Sequence, residues 1–319
     1  MQTILSGEVG STVVWLYLGA VRWLVQLYRE NVEALVDGLA NLGWAGIMVT
    51  VMVAVVTGSN KGIGLEICKQ LASNGVIVIL TARNENQGLE AVQNLKACGQ
   101  SNILFHQLDV TNQISIASLA EFIKTKFKKL DILIVGPNAK NLREIYDQTP
   151  ELAEACLRTN YYGVKLVTEE LIPLLQLSDS PRIVNVSSTL GQLKPISNEK
   201  AKKELSDIES LTVEKVDELV QEFVKDLRED LLETKGWPPN FSAYIVSKAA
   251  LNGYTRVLAK NYPNMAINAA SPGFVKTDLN HNSGILTVEQ GAKGPVMLAL
   301  MPEGGPSGLF YDQMEVSTF

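Results

Sequence analysis

From about Val51 onward the chain alternates short apolar runs with longer amphipathic ones. Strand-like runs fall at Val51–Val56, Val76–Thr81, Ile103–Gln107, Leu130–Val135, Arg182–Ser187 and Met265–Ala270. The stretches Gly64–Ser73, Gly88–Cys98, Ile114–Lys128, Thr149–Leu175 and Ala243–Asn261 between them carry helical spacing. Short β runs with apolar residues at every position are strands buried on both faces, and helices between them supply the crossovers of a parallel sheet. The pattern predicts a single-domain α/β fold with a doubly wound, Rossmann-like parallel sheet.

Two regions depart from the alternation. Residues 1–48 are read as an N-terminal extension, and 49–319 as the α/β domain. Within the extension, Ser11–Tyr28 is apolar and aromatic but is broken by Arg22, short of the roughly 20 residues a membrane span needs. Glu8, Glu30, Glu33 and Asp37 speak against a transit peptide, and no basic segment opens a secretory signal. A second uncharged run, Gly38–Asn60, ends in the first strand, so a membrane anchor is not expected. The other departure is a charge-rich insertion at 191–241. Its apolar positions Val216, Leu219, Val220, Phe223, Leu227 and Leu231 recur at helical spacing, with Thr212 as N-cap and Gly236-Trp237-Pro238-Pro239 as terminator.

Composition narrows the function. The 319 residues carry a net charge of -6, which offers no basic field to nucleic acid. Three cysteines (Cys68, Cys98, Cys156) with no Cys-x-x-Cys pair fit a reducing compartment, and the cytoplasm is the expected location. With His106 and His281 as the only histidines, a histidine-based metal site or a Ser-His-Asp triad lacks material.

The turn after the first strand reads Thr57-Gly58-Ser59-Asn60-Lys61-Gly62-Ile63-Gly64. Glycines there allow a tight turn and close backbone approach, and the helix that follows offers free N–H groups to a pyrophosphate. The second strand ends in Thr81-Ala82-Arg83, where an NAD enzyme usually places an acid. Arg83 with Lys61 nearby favours the 2′-phosphate of NADP instead. Asp109, followed by Val110, is either a partner for the adenine ring or a loop-capping aspartate.

Three fragments then occur in order: Asn160 in Thr159-Asn160-Tyr161-Tyr162-Gly163, Ser187-Ser188 closing a strand, and Tyr244-Ile245-Val246-Ser247-Lys248 in a helix. Tyr244 and Lys248, four apart, share a helix face. Together with the glycine turn, this order resembles the short-chain dehydrogenases/reductases from about Val51 to the C-terminus. Within them it looks like the plant monomeric carbonyl-reductase branch. Thr57–Gly64, Thr81–Arg83, Thr159–Gly163, Arg182–Ser188, Trp237–Lys248, Ser271–Thr277 and Gly304–Leu309 carry that likeness.

The resemblance implies an NADP(H)-dependent reductase acting on a small carbonyl compound, a ketone or aldehyde of terpenoid or alkaloid type. Tyr244 would be the general acid, Lys248 would lower its pKa and hold the nicotinamide ribose, Ser188 rather than Ser187 would bind the substrate oxygen, and Asn160 would position a relay water. Pro272, Gly273, Val275 and Thr277 would seat the carboxamide. The insertion would cover a surface that other members use to oligomerise, which implies a monomer. The competing readings are reduction of a conjugated C=C bond and a non-catalytic NADP-binding scaffold. One segment departs from the family: Val135-Gly136-Pro137-Asn138-Ala139-Lys140 stands where Asn-Asn-Ala-Gly is usual. Asn138 is read as the remnant cofactor contact, and Lys140 takes a glycine position. The chain from there to Asn160 is also shorter than in the plant branch.

Overall fold

A computed structural model describes residues 51–136 and 149–319. The extension expected at 1–48 lies outside the described residues, as do Asn138 and Lys140. Eight strands form one sheet in the order β3-β2-β1-β4-β5-β6-β7-β8. They are β1 (Val53–Val56), β2 (Ile77–Ala82), β3 (Ile103–Gln107), β4 (Ile132–Val135), β5 (Arg182–Val186), β6 (Ala266–Ser271), β7 (Phe310–Asp312) and β8 (Glu315–Ser317). All neighbours pair in parallel except β7 and β8. The order reverses between β1 and β4, the switch point of a doubly wound sheet.

Side chains on successive strand residues point to opposite faces, and both faces are covered. Val53 and Val55 of β1, with Leu133 of β4 and Ile183 of β5, face one core layer. Ala54 and Val56, with Ile134 and Val184, face the other. This is why the strands read as unbroken apolar runs. The first layer is closed by α3 (Gln113–Lys126), α4 (Pro150–Leu157), α5 (Gly163–Leu175), α7 (Val213–Arg228) and α8 (Ser242–Asn261); the second by α1 (Gly62–Ser73), α2 (Glu85–Ala97) and α9 (Val288–Ala299).

Most of these helices start where a short polar side chain can take up a free backbone N–H. Asn84, Asn112, Thr149, Thr212 and Thr287 each accept from the third residue on. Helix α1 differs. Lys61 makes no side-chain cap there, and no acid stands in the first turn.

Three expectations need correction. The single helix over Thr149–Leu175 is interrupted by a π-helical turn, Arg158–Tyr162, between α4 and α5. Gly163 ends that turn against the loop after β3. A Cβ there would lie 2.8 Å from Val110 Cγ2 and 3.1 Å from the Arg158 carbonyl oxygen. Second, α7 does not run on to Gly236. It stops at Arg228, because Asp230 turns left-handed (φ 57°) and Leu231 N–H donates to the Asp226 carbonyl. The Asp230 N–H donates to Leu227 O, completing a Schellman closure that periodicity does not reveal. Leu231 therefore lies beyond the helix. Third, the insertion holds another helix, α6 (Glu199–Ser206), and the chain ends in the β7–β8 hairpin.

The insertion sits on α4, the π-helical turn and α8. Its Val216, Leu219, Val220 and Phe223 are buried. Phe223 meets Trp237 edge to face at 5.3 Å between centroids. Trp237 Nε1 donates to Asp226 Oδ2 at 2.8 Å, and Tyr161 Oη donates to Asp217 Oδ1 at 2.8 Å.

Candidate active site

The carboxyl ends of β1, β4, β5 and β6 bring the motifs together. At the end of β1 the glycine turn is built by sterics. Gly58 and Gly62 are left-handed (φ 58° and 59°), a region that side-chain-bearing residues rarely enter. At Gly64 the limit is space, since a Cβ would sit 2.8 Å from Ser59 Cα and 2.9 Å from the Gly58 carbonyl oxygen. Ser59 Oγ locks the turn to the neighbouring strand, donating to Val56 O at 2.7 Å and accepting from Thr81 N at 3.1 Å. Thr57 Oγ1 accepts from Gly136 N at 2.9 Å, joining the ends of β1 and β4.

These features fit a dinucleotide. The turn keeps its backbone bare of side chains at Gly58, Gly62 and Gly64, and α1 opens with its first N–H groups uncapped. Gly62 and Ile63 begin that helix. Thr277, on the loop after β6, comes to this turn as well: its Cγ2 would lie 3.6 Å from a Cβ at Gly62. Gly273 of the same loop is left-handed, and Val275 is buried and bridged to Leu286. Asn60 donates to Gln87 Oε1, on the helix after β2. Arg83 closes β2, and its carbonyl accepts from Gln107 at 2.8 Å. Lys61 pairs with Asp278 at 3.1 Å, and both side chains are largely exposed. This partner, which spacing did not disclose, places a carboxylate beside one of the two cations read as phosphate ligands. An exposed pair of this kind contributes little. Asp109 Oδ1 accepts from both the backbone N–H and the hydroxyl of Thr111, so it caps its loop. Val110 is buried behind it.

The catalytic candidates meet at the end of β5. Ser187 and Ser188 separate by role: Ser187 is buried and donates to Asn252 Oδ1 at 2.7 Å. Ser188 caps the turn Thr189–Gly191 and hydrogen-bonds Tyr244. The turn presses on α8 so closely that a Cβ on Gly191 would lie 2.7 Å from Lys248 Cβ. Lys248 is almost fully buried, donates from Nζ to Val186 O at 2.8 Å, and stands 5.8 Å from the Tyr244 ring centroid.

The electrostatics reverse one expectation. Burial pushes the Tyr244 hydroxyl up to about 12, against a smaller lowering by its hydrogen bond with Ser188. Burial also brings Lys248 down to about 8, opposed by the Cys156 thiol group nearby. For both groups the loss of water is the largest effect. Tyr244 therefore carries its proton at neutral pH, as an unperturbed tyrosine does.

Asn160, in the π-helical turn, is buried; its Nδ2 lies 3.3 Å from both Cys156 Sγ and Ser247 Oγ. Neither Cys156 nor Ser247 was singled out by sequence reasoning. Their positions, one helical turn before Asn160 and three residues after Tyr244, are the signal that was there to use. A cleft of about 510 Å³ lies elsewhere, between α4 and α7, lined by Glu154, Tyr162, Gln221, Lys225 and Arg228 among others. It carries charges of both signs and does not include these groups.

A glycine turn at the switch point of a doubly wound sheet, next to a half-buried tyrosine and a buried lysine one helical turn on, defines an oxidoreductase of the dinucleotide-binding α/β class. Comparison with known proteins makes the assignment specific. The short chain dehydrogenase family profile matches residues 52–200 and 234–285, and the span it skips falls inside the insertion. The chain belongs to the short-chain dehydrogenase family. It is 54% identical over 288 residues to a protein called short-chain dehydrogenase/reductase 1 from Saponaria officinalis, covering 83% of this chain and 95% of that one. It is 52% identical to a (+)-neomenthol dehydrogenase of Arabidopsis thaliana, covering 83% and 97%. Among solved structures, salutaridine reductase from Papaver somniferum superposes with a TM-score of 0.76 at 50% identity, over 82% of this chain and 99% of that one. The resemblance to the plant branch is thereby confirmed.

Proposed function

We propose that the protein is an NADPH-dependent carbonyl reductase that converts a ketone or aldehyde on a terpenoid- or alkaloid-like skeleton to the alcohol. The observation that carries this reading is the grouping at Tyr244, which is joined to Ser188 and has Lys248 5.8 Å from its ring centroid. The names of the plant relatives, a neomenthol dehydrogenase and a salutaridine reductase, support the substrate class. Arg83, at the end of β2 and with no acid in its place, supports NADPH over NADH.

The reduced nicotinamide, when bound, supplies hydride to the carbonyl carbon. Gly58, Asn60, Lys61, Gly62, Ile63, Gly64 and Arg83 would hold the phosphates, Asp109 and Val110 the adenine end, and Pro272, Gly273, Val275 and Thr277 the carboxamide end. Lys248 would hold the ribose hydroxyls with its buried ammonium. Ser188 would donate to the substrate oxygen and so favour the charge that develops on it. Tyr244 would pass its hydroxyl proton to that oxygen, and Asn160 would anchor the relay that restores it. No described helix is long and apolar enough to cross a membrane. Cys68, Cys98 and Cys156 form no disulfide among the described residues, which supports our placing the protein in the cytoplasm. Because the insertion lies over the helices carrying Asn160 and Tyr244, we also expect a monomer.

The test is a fluorescence titration of the purified chain with NADPH and NADH. Selective NADPH binding, weakened about 10- to 100-fold by Arg83→Ala while NADH is unaffected, is the expected result. Failure to bind either cofactor would overturn the reading and favour a non-catalytic role.

A further inference from the structure

The serine turn after β5 is held from a third point on α8. Tyr244, Lys248 and Asn252 follow one another at four-residue steps and so line one face of that helix. Tyr244 hydrogen-bonds Ser188, and Lys248 donates to the Val186 carbonyl. Asn252, buried one turn further on, spans the turn itself. Its Nδ2 donates to the Gly191 carbonyl oxygen at 3.0 Å, and its Oδ1 accepts from Ser187 Oγ at 2.7 Å. This amide has one possible orientation. A carbonyl oxygen only accepts, so the NH2 must face Gly191, and Ser187 must then donate. Ser188 lies between these two attachments. Its Oγ accepts from the Leu190 N–H at 3.2 Å within the turn, which leaves its single proton for Tyr244 or a substrate oxygen. Sterics press the turn onto the same helix, since a Cβ on Gly191 would meet Lys248 backbone at 2.8 Å. The register of β5 on α8 is fixed just before the turn, where Asn185 Nδ2 donates to Thr255 Oγ1 at 2.9 Å.

We infer that Asn252 is a positioning residue for Ser188: its amide brackets that serine between Ser187 and Gly191 and so sets the Ser188 hydroxyl against Tyr244. An amide suits the place because it offers an acceptor at one end and a donor at the other while bringing no charge into a buried site. The helix that carries Tyr244 and Lys248 thereby also places the third group of the set. The part in catalysis rests on the carbonyl-reductase reading; the clamp itself does not.

The experiment joins kinetics to backbone hydrogen exchange in the full chain. Asn252→Leu, similar in size but without either contact, should lower kcat about tenfold or more and leave Kd for NADPH within about twofold. In a Ser188→Ala chain the same change should alter kcat by less than about twofold, because a residue that acts through Ser188 has nothing left to position. The Leu190 and Gly191 amides, followed by ¹⁵N-TROSY, should exchange about tenfold faster or more in Asn252→Leu. If that variant does not fold, Ser187→Ala removes one arm of the clamp and should move the same readouts in the same direction by less. Unchanged exchange of these amides, or a loss of kcat as large in the Ser188→Ala chain as in the unmodified one, would overturn the inference. Faster exchange in a chain that reduces no carbonyl would uphold the clamp and overturn the functional reading instead.

Discussion

The glycine turn after β1 and the Tyr244 pocket after β5 lie at the same edge of the same sheet but are made in opposite ways. The turn works by what is missing. Gly58 and Gly62 adopt left-handed backbone, and Gly64 leaves no room for a methyl group beside Ser59. The pocket works by what is enclosed, namely Lys248, Asn160, Ser187, Ser247 and Asn252, polar side chains almost wholly withdrawn from water and bonded to one another or to backbone. A turn of the first kind is broken by adding an atom, a pocket of the second kind by removing one.

That contrast can be pushed hardest at Tyr244. Tyr244→Phe deletes a single oxygen, and kcat for ketone reduction should fall by about 10²- to 10⁴-fold while NADPH binding is kept; steady-state kinetics with any accepted ketone decides it. Retention of full activity would sink the assigned mechanism. Next in size is the support behind the pocket. Phe223→Ala empties a buried site against Trp237 and should cost about 3–5 kcal/mol of stability by denaturant unfolding. In the same samples sedimentation should show a monomer for the unmodified chain, and a dominant dimer would contradict the role given to the insertion.

On the turn side, Gly64→Ala should cost about 1–3 kcal/mol and weaken NADPH in parallel, since Ser59 and Gly58 backbone must move to admit the methyl. An alanine that leaves both unfolding and titration unchanged would mean that the turn is looser than these distances. The gentlest probe is pH. Lys248 is depressed to about 8, below its ordinary value near 10.4, so its cation is lost as pH rises through about 8. Tyr244, raised to about 12, stays protonated over that range. The profile of kcat/KM, which reports the free enzyme, should therefore decline above pH about 8 with one limb belonging to Lys248. A flat profile to pH 10 would show that Lys248 keeps its charge.

The two regions also differed in how legible they were. The turn could be read because its requirements are local: positive φ, a missing Cβ and a helix start all lie within the eight residues Thr57–Gly64. The strands from β1 to β6 were readable for the same reason, as apolar runs that alternate between two buried faces. The pocket was legible only as an ordered set of residue types. That Ser187 turns to Asn252 while Ser188 turns to Tyr244, 56 residues further on, is a matter of how β5 meets α8. The π-helical turn at Asn160 was invisible in the sequence; it sits where Gly163 packs on Val110, a contact between segments 53 residues apart. Lys61 read as a free phosphate ligand until folding set Asp278 beside it.

By itself, then, the order of residues determined the doubly wound sheet, the glycine turn, the Thr212 start of the inserted helix and the set of groups available for chemistry. Only the tertiary structure decided their protonation and orientation. Backbone sterics and hydrophobic periodicity act over a few residues and leave their mark on neighbouring letters. Desolvation and the sharing of protons depend on everything that surrounds a group. Hence burial raises the Tyr244 hydroxyl, and the Asn160 amide meets a hydroxyl 87 residues away along the chain.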